Sequence, residues 1–429
     1  MSVQTGATTP SQAPATAEKS IYWPFAIAWL FALVFYFIQY ALRSAPGVMI
    51  PELTQAFSLT TLGLSSLLGL YYYTYAAFAI VAGASLDRYG AKLPMAAGVF
   101  ALAAGCVLFG LGSIGSAESG RLLQGAGSAF SFTGAVYLAA RGFSHRWLAT
   151  AVGFTQFAGM LGGFAGQVVV GSLVHGPIGW QAFWIDSGVL CAILAVLVLI
   201  TTPGSHDPAR GSVWSMFAPY KIVLTNPQSY LCGLIGGLLF MPTTVGIMIW
   251  GVPLLRSLGA DPAEAVHRAS SVTFGWVIGA PLLGYIADRI GLRKPVLFGG
   301  IVLMLLSIIS LLYMPGLLPH YVGGLAFGIG SGAAMIPYTM IKEVNPDNVK
   351  GSATGAMNFL VFSLSAVVAP AFGLELSHLS GGQPLTAAVF QQADLIWVAG
   401  IVLSFILTLF LRETGVAARS APPAAATAR

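Results

Sequence analysis

Charge is scarce in this sequence. Lys and Arg number 19 and Asp and Glu 14, together 8% of 429 residues, against about 25% in an ordinary soluble domain. That excludes an enzyme with a solvated surface, and the 56% of hydrophobic residues excludes a disordered chain. The net charge of +5 is too small and too scattered to hold a phosphate backbone by counterion release, so no nucleic-acid partner is expected. Cysteine is scarce as well. Cys106, Cys191 and Cys232 lie inside apolar runs, with the spacing of neither a disulfide framework nor a metal site. No nucleophile–base pair, metal motif or phosphate loop stands at a suitable depth, so neither a cofactor nor an enzymatic reaction is expected.

Long apolar runs are what the sequence does contain. A helix crossing a hydrocarbon core of about 30 Å needs roughly 20 mostly apolar residues. Twelve such runs are present, near 21–47, 60–86, 93–114, 117–140, 148–173, 181–202, 229–255, 268–290, 295–315, 317–341, 351–377 and 391–411. The expected architecture is an all-α polytopic membrane protein with six helices in 21–203, a linker at 204–228 and six more in 229–411. Residues 1–20 and 412–429 are rich in Ala, Pro, Ser and Thr and read as disordered cytoplasmic tails. The first apolar run is too long, and lacks the basic leader, for a cleaved signal peptide. With the N-terminus in the cytoplasm, 15 of the 19 basic residues fall on the cytoplasmic side. The positive-inside bias therefore places both termini there, in a bacterial inner membrane or one derived from it.

The two halves echo each other. Gly83, Asp87, Arg88 and Gly90 after span 2 recur as Gly284, Asp288, Arg289 and Gly291 after span 8, followed by Lys92 in one loop and Arg293 and Lys294 in the other. Gly125 and Gly127 of span 4 echo Gly328 and Gly330 of span 10, and Gly153 and Gln156 of span 5 echo Gly355 and Asn358 of span 11. Such repeats characterise carriers built from duplicated bundles. With this duplicated G-x-x-x-D-R-x-G-x-K/R loop, and with Arg121-Leu122-Leu123-Gln124-Gly125-Ala126-Gly127 opening span 4, the chain resembles the major facilitator superfamily over about 390 residues. The resemblance implies a 6+6 fold, a central cavity lined by spans 1, 4, 7 and 10, and rocking of the halves about it. It also implies that Gly83, Asp87, Arg88, Gly90 and Lys92, with Gly284, Asp288, Arg289, Gly291, Arg293 and Lys294, form a cytoplasmic latch. In that latch the glycines allow close helix approach and the aspartates cap a facing helix start. The alternative is that these charges only set topology. Span 5 carries two G-x-x-x-G spacings in 159–166 but lacks the proline of drug/proton antiporters, whose acidic span-1 motif is absent too.

No carboxylate falls at a midplane position. Asp186, Glu375 and Asp394 are expected at the non-cytoplasmic rim, and the others lie in tails, loops or the latch. The cations differ. Tyr36, Gln39, Tyr40 and Arg43 share one face of span 1, with Arg43 in its outer third, and Arg121, Gln124, Ser128 and Ser131 form a stripe on span 4. Two guanidinium groups on cavity helices suit a carboxylate or phosphate. Arg43 either contacts substrate or pairs with Glu52 or Glu118 as an outer gate, and Arg121 is either structural or a ligand. Trp250, Tyr338 and Thr339 are candidate lining residues, and His320 reads as a rim residue rather than a proton carrier. Of Tyr71, Tyr72, Tyr73 and Tyr75, the first and last share a face, with two or three of the four expected to be packing or lipid contacts.

The span 1 exit, running from Arg43 to Leu53 as R-x-x-P-x-V-M-x-P-E-L, is similar to a bacterial group of organic-anion and small-metabolite carriers. So are Lys342-Glu343-Val344-Asn345-Pro346 and Gly351-Ser352-Ala353-Thr354-Gly355. The expected function is a monomeric secondary or facilitative transporter of a small organic anion across the bilayer. The alternatives are a metal-ion carrier, such as the iron carriers of magnetosome membranes, and a carrier-like sensor or scaffold.

Overall fold

The computed structural model describes residues 21–174, 176, 178–204, 213–314, 316–346 and 349–417. The expected tails at 1–20 and 418–429 and the linker residues 205–212 lie outside them. Twelve long helical segments follow one another. They are α1 (Trp23–Val48), α2 (Thr61–Tyr89), α3 (Lys92–Gly110), α4 (Ile114–Gly142), α5 (His145–Val174) and α6 (Trp180–Thr201), then α7 (Pro227–Ser257), α8 (Pro262–Ile290), α9 (Lys294–Tyr313), α10 (His320–Glu343), α11 (Lys350–Ser380) and α12 (Ala387–Phe410). Eleven are long and apolar enough to cross a membrane, where a helix satisfies its own backbone polar groups. The exception is α4, which carries Arg121, Gln124, Ser128 and Ser131 but turns them all inward, each at most 2% exposed. Its polarity belongs to the interior and not to lipid.

Local chemistry sets the helix ends. Asp261 accepts a hydrogen bond from the Glu264 N–H at 2.8 Å to start α8, and Ser113 and Ser116 form a reciprocal capping box at the start of α4. The recurrent glycines of the two loops end α2 and α8 with positive φ, 75° at Gly90 and 73° at Gly291, a conformation open to few other residues.

The repeat seen in the sequence is a repeat of packing. α1 lies on α5 as α7 lies on α11, α2 on α4 as α8 on α10, and α3 on α4 and α6 as α9 on α10 and α12. Gly125 and Gly328 bring α4 and α10 against the backbones of Tyr71 and Val272, and Gly127 and Gly330 bring them against α3 and α9. The first six helices meet the second six chiefly along α2–α11 and α5–α8. Three helices change pitch: α1 tightens to a 3₁₀ turn at Ala45–Val48, α7 widens to a π turn at Pro242–Ile247, and α10 tightens at Gly332–Ala334.

One expectation needs correction. Residues 412–417 are not a tail. The Glu413 carboxylate accepts backbone N–H groups from Arg293 at 2.7 Å and Lys294 at 2.9 Å, and the Ala417 N–H donates to the Gly291 carbonyl at 3.0 Å, so this segment caps the start of α9. Asp394 lies near the start of α12, at the end of the span where it was expected, but is closed off from solvent. It is 4% exposed and accepts the Trp397 indole N–H at 2.8 Å.

Candidate functional site

Most of the Lys and Arg lie on one end of the bundle, here the basic face. The other end is sealed between the two sets of helices. Gly47 of α1 presses against the Met248 carbonyl of α7. The Trp250 indole donates to Ser65 at 3.2 Å, Tyr72 donates to the Thr244 carbonyl at 3.1 Å, and Thr273 donates to Gln167 at 2.9 Å. Trp250 therefore belongs to this seal and does not line a cavity.

Arg43 is buried within the seal at 2% exposure. Its guanidinium lies 4.3 Å from the Tyr40 ring centre, 4.8 Å from Tyr75 and 4.9 Å from Phe362 of α11. It donates to Gln39 at 3.2 Å and to Tyr71 at 3.1 Å, while its Nη1 is buried without a partner. Among the described residues no carboxylate reaches it, so the expected gate with Glu52 or Glu118 is not formed. Of the four tyrosines, Tyr71, Tyr72 and Tyr75 are buried, and only Tyr73 is exposed, at 46%. Tyr71 is flanked by two guanidinium groups, with Arg121 at 4.8 Å from its ring centre.

Arg121 takes the structural one of its two expected roles, and with Gln124 it does not line the cavity. Arg121 donates to Gln124 at 2.8 Å and to the Leu68 carbonyl at 3.2 Å, and Gln124 donates to the Gly105 carbonyl of α3 at 3.2 Å. Both tie α4 to α2 and α3. The glycines that draw those helices together also consume the space in which a substrate would meet them.

A cavity of about 890 Å³ opens between α4, α5, α8 and α10 toward the basic face, lined by Phe132, Gln156, Pro281, Gly284, Asp288, Arg293, Tyr338, Thr339 and Lys342 among others. Its inner end shares Phe132, Gln156, Met335 and Tyr338 with a constricted space of about 10 Å³ beside Tyr36, Tyr40, Tyr75, Asn358 and Phe362, room for one water at most. The Tyr36 hydroxyl meets Gln156 at 3.4 Å, and the Tyr338 hydroxyl donates to Asn358 at 2.9 Å. Gln156 and Asn358 are the pair that echo each other in the two halves. That echo was the signal that could have marked them as site residues. Lys342 stood in the sequence only as part of a motif shared with a carrier group and as a basic residue of the topology count, and Phe362 was marked by nothing.

The two basic-face loops are in different states. A Cβ at Gly351, in the first turn of α11, would lie 3.4 Å from an Asp87 carboxylate oxygen, so Asp87 sits over that helix start, where a negative charge is favoured. Tyr220, from the short linker helix Ala218–Thr225, enters between α2 and α11 and donates to the Ile80 carbonyl at 3.0 Å. A Cβ at either Gly83 or Gly355 would come 2.5 Å from its hydroxyl. Among the described residues the second loop makes no hydrogen bond or ion pair with a helix of the other half. Nothing lies within 4 Å of a Cβ at Gly284, which lines the cavity, so the close approach expected there is absent. Asp288 pairs with Arg293, which also holds Glu343 at 2.9 Å, Arg289 meets the Tyr285 hydroxyl at 3.1 Å, and Lys294 donates to the Leu409 carbonyl at 3.1 Å. Burial pulls the Arg293 guanidinium down, but the Glu343 and Asp288 carboxylates outweigh it and raise its pKa. Arg88 lies 5.4 Å from the Tyr89 ring centre, and Lys92 opens α3. At the sealed end, His320 pairs with Glu264 at 3.1 Å as a rim residue. Among the described residues no three His, Cys, Asp or Glu side chains gather as a metal site.

The chain is 26% identical over 294 residues to the 4-hydroxybenzoate transporter PcaK of Pseudomonas aeruginosa, covering 58% of this chain and 63% of that protein. It is 25% identical over 218 residues to the enterobactin exporter EntS of Shigella boydii, covering 46% and 50%. It thus spans from half to just under two thirds of the length of these curated relatives. Among solved structures, a bacterial homologue of the human lysosomal transporter Spinster, in an inward-facing and occupied conformation, superposes with a TM-score of 0.71 at 16% identity, covering 94% of this chain and 100% of that one. The nucleoside transporter NupG superposes at 0.69 with 14% identity, covering 90% and 99%. These likenesses establish the fold, and the Major Facilitator Superfamily profile matches residues 32–370 and 242–428. With eleven apolar spans and that profile across its length, the chain is an integral, multi-pass membrane protein of the Major Facilitator Superfamily.

Proposed function

We propose that this protein is a carrier of small organic anions working by alternating access, with residues 21–203 and 229–411 rocking as two halves. The observation that carries the reading is the asymmetry of access: a cavity of about 890 Å³ opens to the basic face, while the other end is sealed by contacts between the halves. The bias of Lys and Arg assigns the basic face to the cytoplasm, with both termini there, in a bacterial inner membrane. The substrate enters among Tyr36, Tyr40 and Tyr338, and Arg43 supplies the charge when the sealed end opens. Arg43 supports an anionic cargo because its guanidinium is buried with one nitrogen unpartnered and no carboxylate beside it, and so lacks the counterion that membrane-buried charges normally find. The names of two relatives, transporters of 4-hydroxybenzoate and enterobactin, support an organic cargo. Asp87, Arg88, Gly83, Gly90 and Lys92, with Gly284, Asp288, Arg289, Gly291, Arg293 and Lys294, act as the two gating loops, the first engaged and the second released in this state. The protein works as a monomer.

The test is uptake by purified protein in liposomes, with a panel of radiolabelled organic acids and their neutral analogues. Saturable uptake of at least one acid, abolished by Arg43→Gln, is expected. Equal uptake by the variant refutes the role of Arg43, and uptake of no solute refutes the carrier.

A further inference from the structure

Among the described residues three charged side chains line the open cavity: Asp288, Arg293 and Lys342. Asp288 and Arg293 neutralise each other, and Arg293 also holds Glu343. Lys342 is different. Its ammonium makes no hydrogen bond or ion pair among the described residues, although it is partly buried in the wall of α10. The neighbouring Glu343 carboxylate is within electrostatic reach of it but directs its hydrogen bonds elsewhere: one oxygen accepts Arg293 at 2.9 Å and the other accepts the Thr414 hydroxyl at 2.6 Å. Lys342 follows Tyr338 by four positions, so the two stand one turn apart on one face of α10. Arg43 is shut away from this cavity by the layer of Tyr40, Tyr75 and Phe362. An anion held in the open state therefore needs another cation, and among the described residues of the lining Lys342 is the cation with no hydrogen bond or ion pair of its own.

From this geometry we infer that Lys342 is the anion-binding residue of the state open to the basic face, and that its ligand is a small monocarboxylate with an apolar body. The inference rests on the carrier reading above. A lone ammonium, with no second free cation among the described residues of the lining, suits a single carboxylate better than a phosphate or a dicarboxylate, which call for a guanidinium fork or paired cations. Phe132, Pro281 and Met335 offer apolar surface to the remainder of the molecule. The low dielectric of a membrane-enclosed cavity strengthens the attraction relative to water. A carboxylate released from Arg43 as the seal forms then meets Lys342 on the way to the basic face. Binding at two separate cations lets each access state hold the same charge without either holding it too tightly to release.

The test uses the purified full-length protein with benzoate and benzamide, a pair alike in shape and different in charge, and reads dissociation constants from ligand-induced stabilisation. Wild type should prefer benzoate. Lys342→Gln should weaken benzoate binding by about ten-fold or more, the scale of a lost charge-assisted hydrogen bond, and erase the discrimination between acid and amide. Lys342→Arg should restore it, which a merely structural lysine would not do, and the melting temperatures without ligand verify that both variants fold. Wild-type preference for the amide, equal binding of the two probes, binding of neither, or unchanged benzoate binding by Lys342→Gln overturns the inference. If wild type moves a solute in liposomes while any of these holds, the carrier reading stands without it. If wild type moves nothing, both fall.

Discussion

Gly47 gives the most direct access to the seal. In the 3₁₀ turn that ends α1 it faces the backbone of α7, and a Cβ there would lie 3.0 Å from the Met248 carbonyl carbon and closer still to its oxygen, with the Ile249 oxygen at 3.3 Å. These are backbone atoms and cannot rotate away, so Gly47→Ala must push α1 and α7 apart. Overpacking of this kind costs about 1–3 kcal/mol. The cost falls on the sealed state alone if the two helices separate when that end opens. At 25 °C such a difference multiplies the open-to-sealed ratio by about 5 to 150. Ser65, 1% exposed and bonded to Trp250 across the seal, is a suitable reporter. In a Ser65→Cys background, the rate at which a membrane-impermeant maleimide labels the introduced thiol, read on that peptide by mass spectrometry, follows the open population. Gly47→Ala should accelerate labelling by a factor in that range. Gly115→Ala should leave it unchanged, because nothing lies within 4 Å of a Cβ there. An unchanged rate in Gly47→Ala, or equal acceleration in Gly115→Ala, refutes the reasoning.

Two further predictions concern the basic face. Gly355→Ala or Gly83→Ala should displace Tyr220 and speed trypsin cleavage at Lys221, and in a Tyr220→Ala background the glycine substitutions should have no further effect; cleavage rates that ignore both glycines would dismiss the wedge. Burial pushes the Glu413 carboxyl up, but the N–H groups of Arg293, Lys294, Gly415 and Thr414 outweigh it and lower its pKa. Because the folded value lies below the unfolded one, the stabilisation is present above the usual glutamate range, near 4.3, and is lost as pH falls through the lowered value. Melting curves of wild type and Glu413→Gln should therefore differ at pH 7 and at pH 5 and converge toward pH 3; a gap that widens at low pH would contradict the cap.

Much of the fold was legible because lipid imposes a simple rule on sequence. Runs of about 20 apolar residues marked the spans, the α4 run at 117–140 among them despite its polar stripe. The duplicated loops and the echoing glycines announced a duplicated architecture before any contact was known. The site was less legible. Arg43, Tyr36 and Tyr40 were correctly grouped on one helical face, yet α-helical periodicity says only that residues share a side, not what that side meets. Arg121 had the same periodic credentials and packs inside its own bundle instead. Lys342, read only as a residue that orients the chain and as part of a motif shared with a carrier group, lines the open cavity. The start of the C-terminal tail looked too polar and too rich in small residues to order, but Glu413 finds four backbone donors.

The sequence by itself determined the class of molecule, the number and placement of its helices, the duplication and the family resemblance. All of these follow from composition and local spacing, since each helix satisfies its own backbone and each loop carries its own charge. Only the tertiary structure decided which end of the cavity is sealed, which of two similar loops is engaged, and which cation is left without a partner. Asp87 and Asp288 occupy equivalent positions in nearly equivalent sequences, yet one lies over the start of α11 and the other faces the open cavity. That difference belongs to the relative placement of the two sets of helices, which no local pattern encodes.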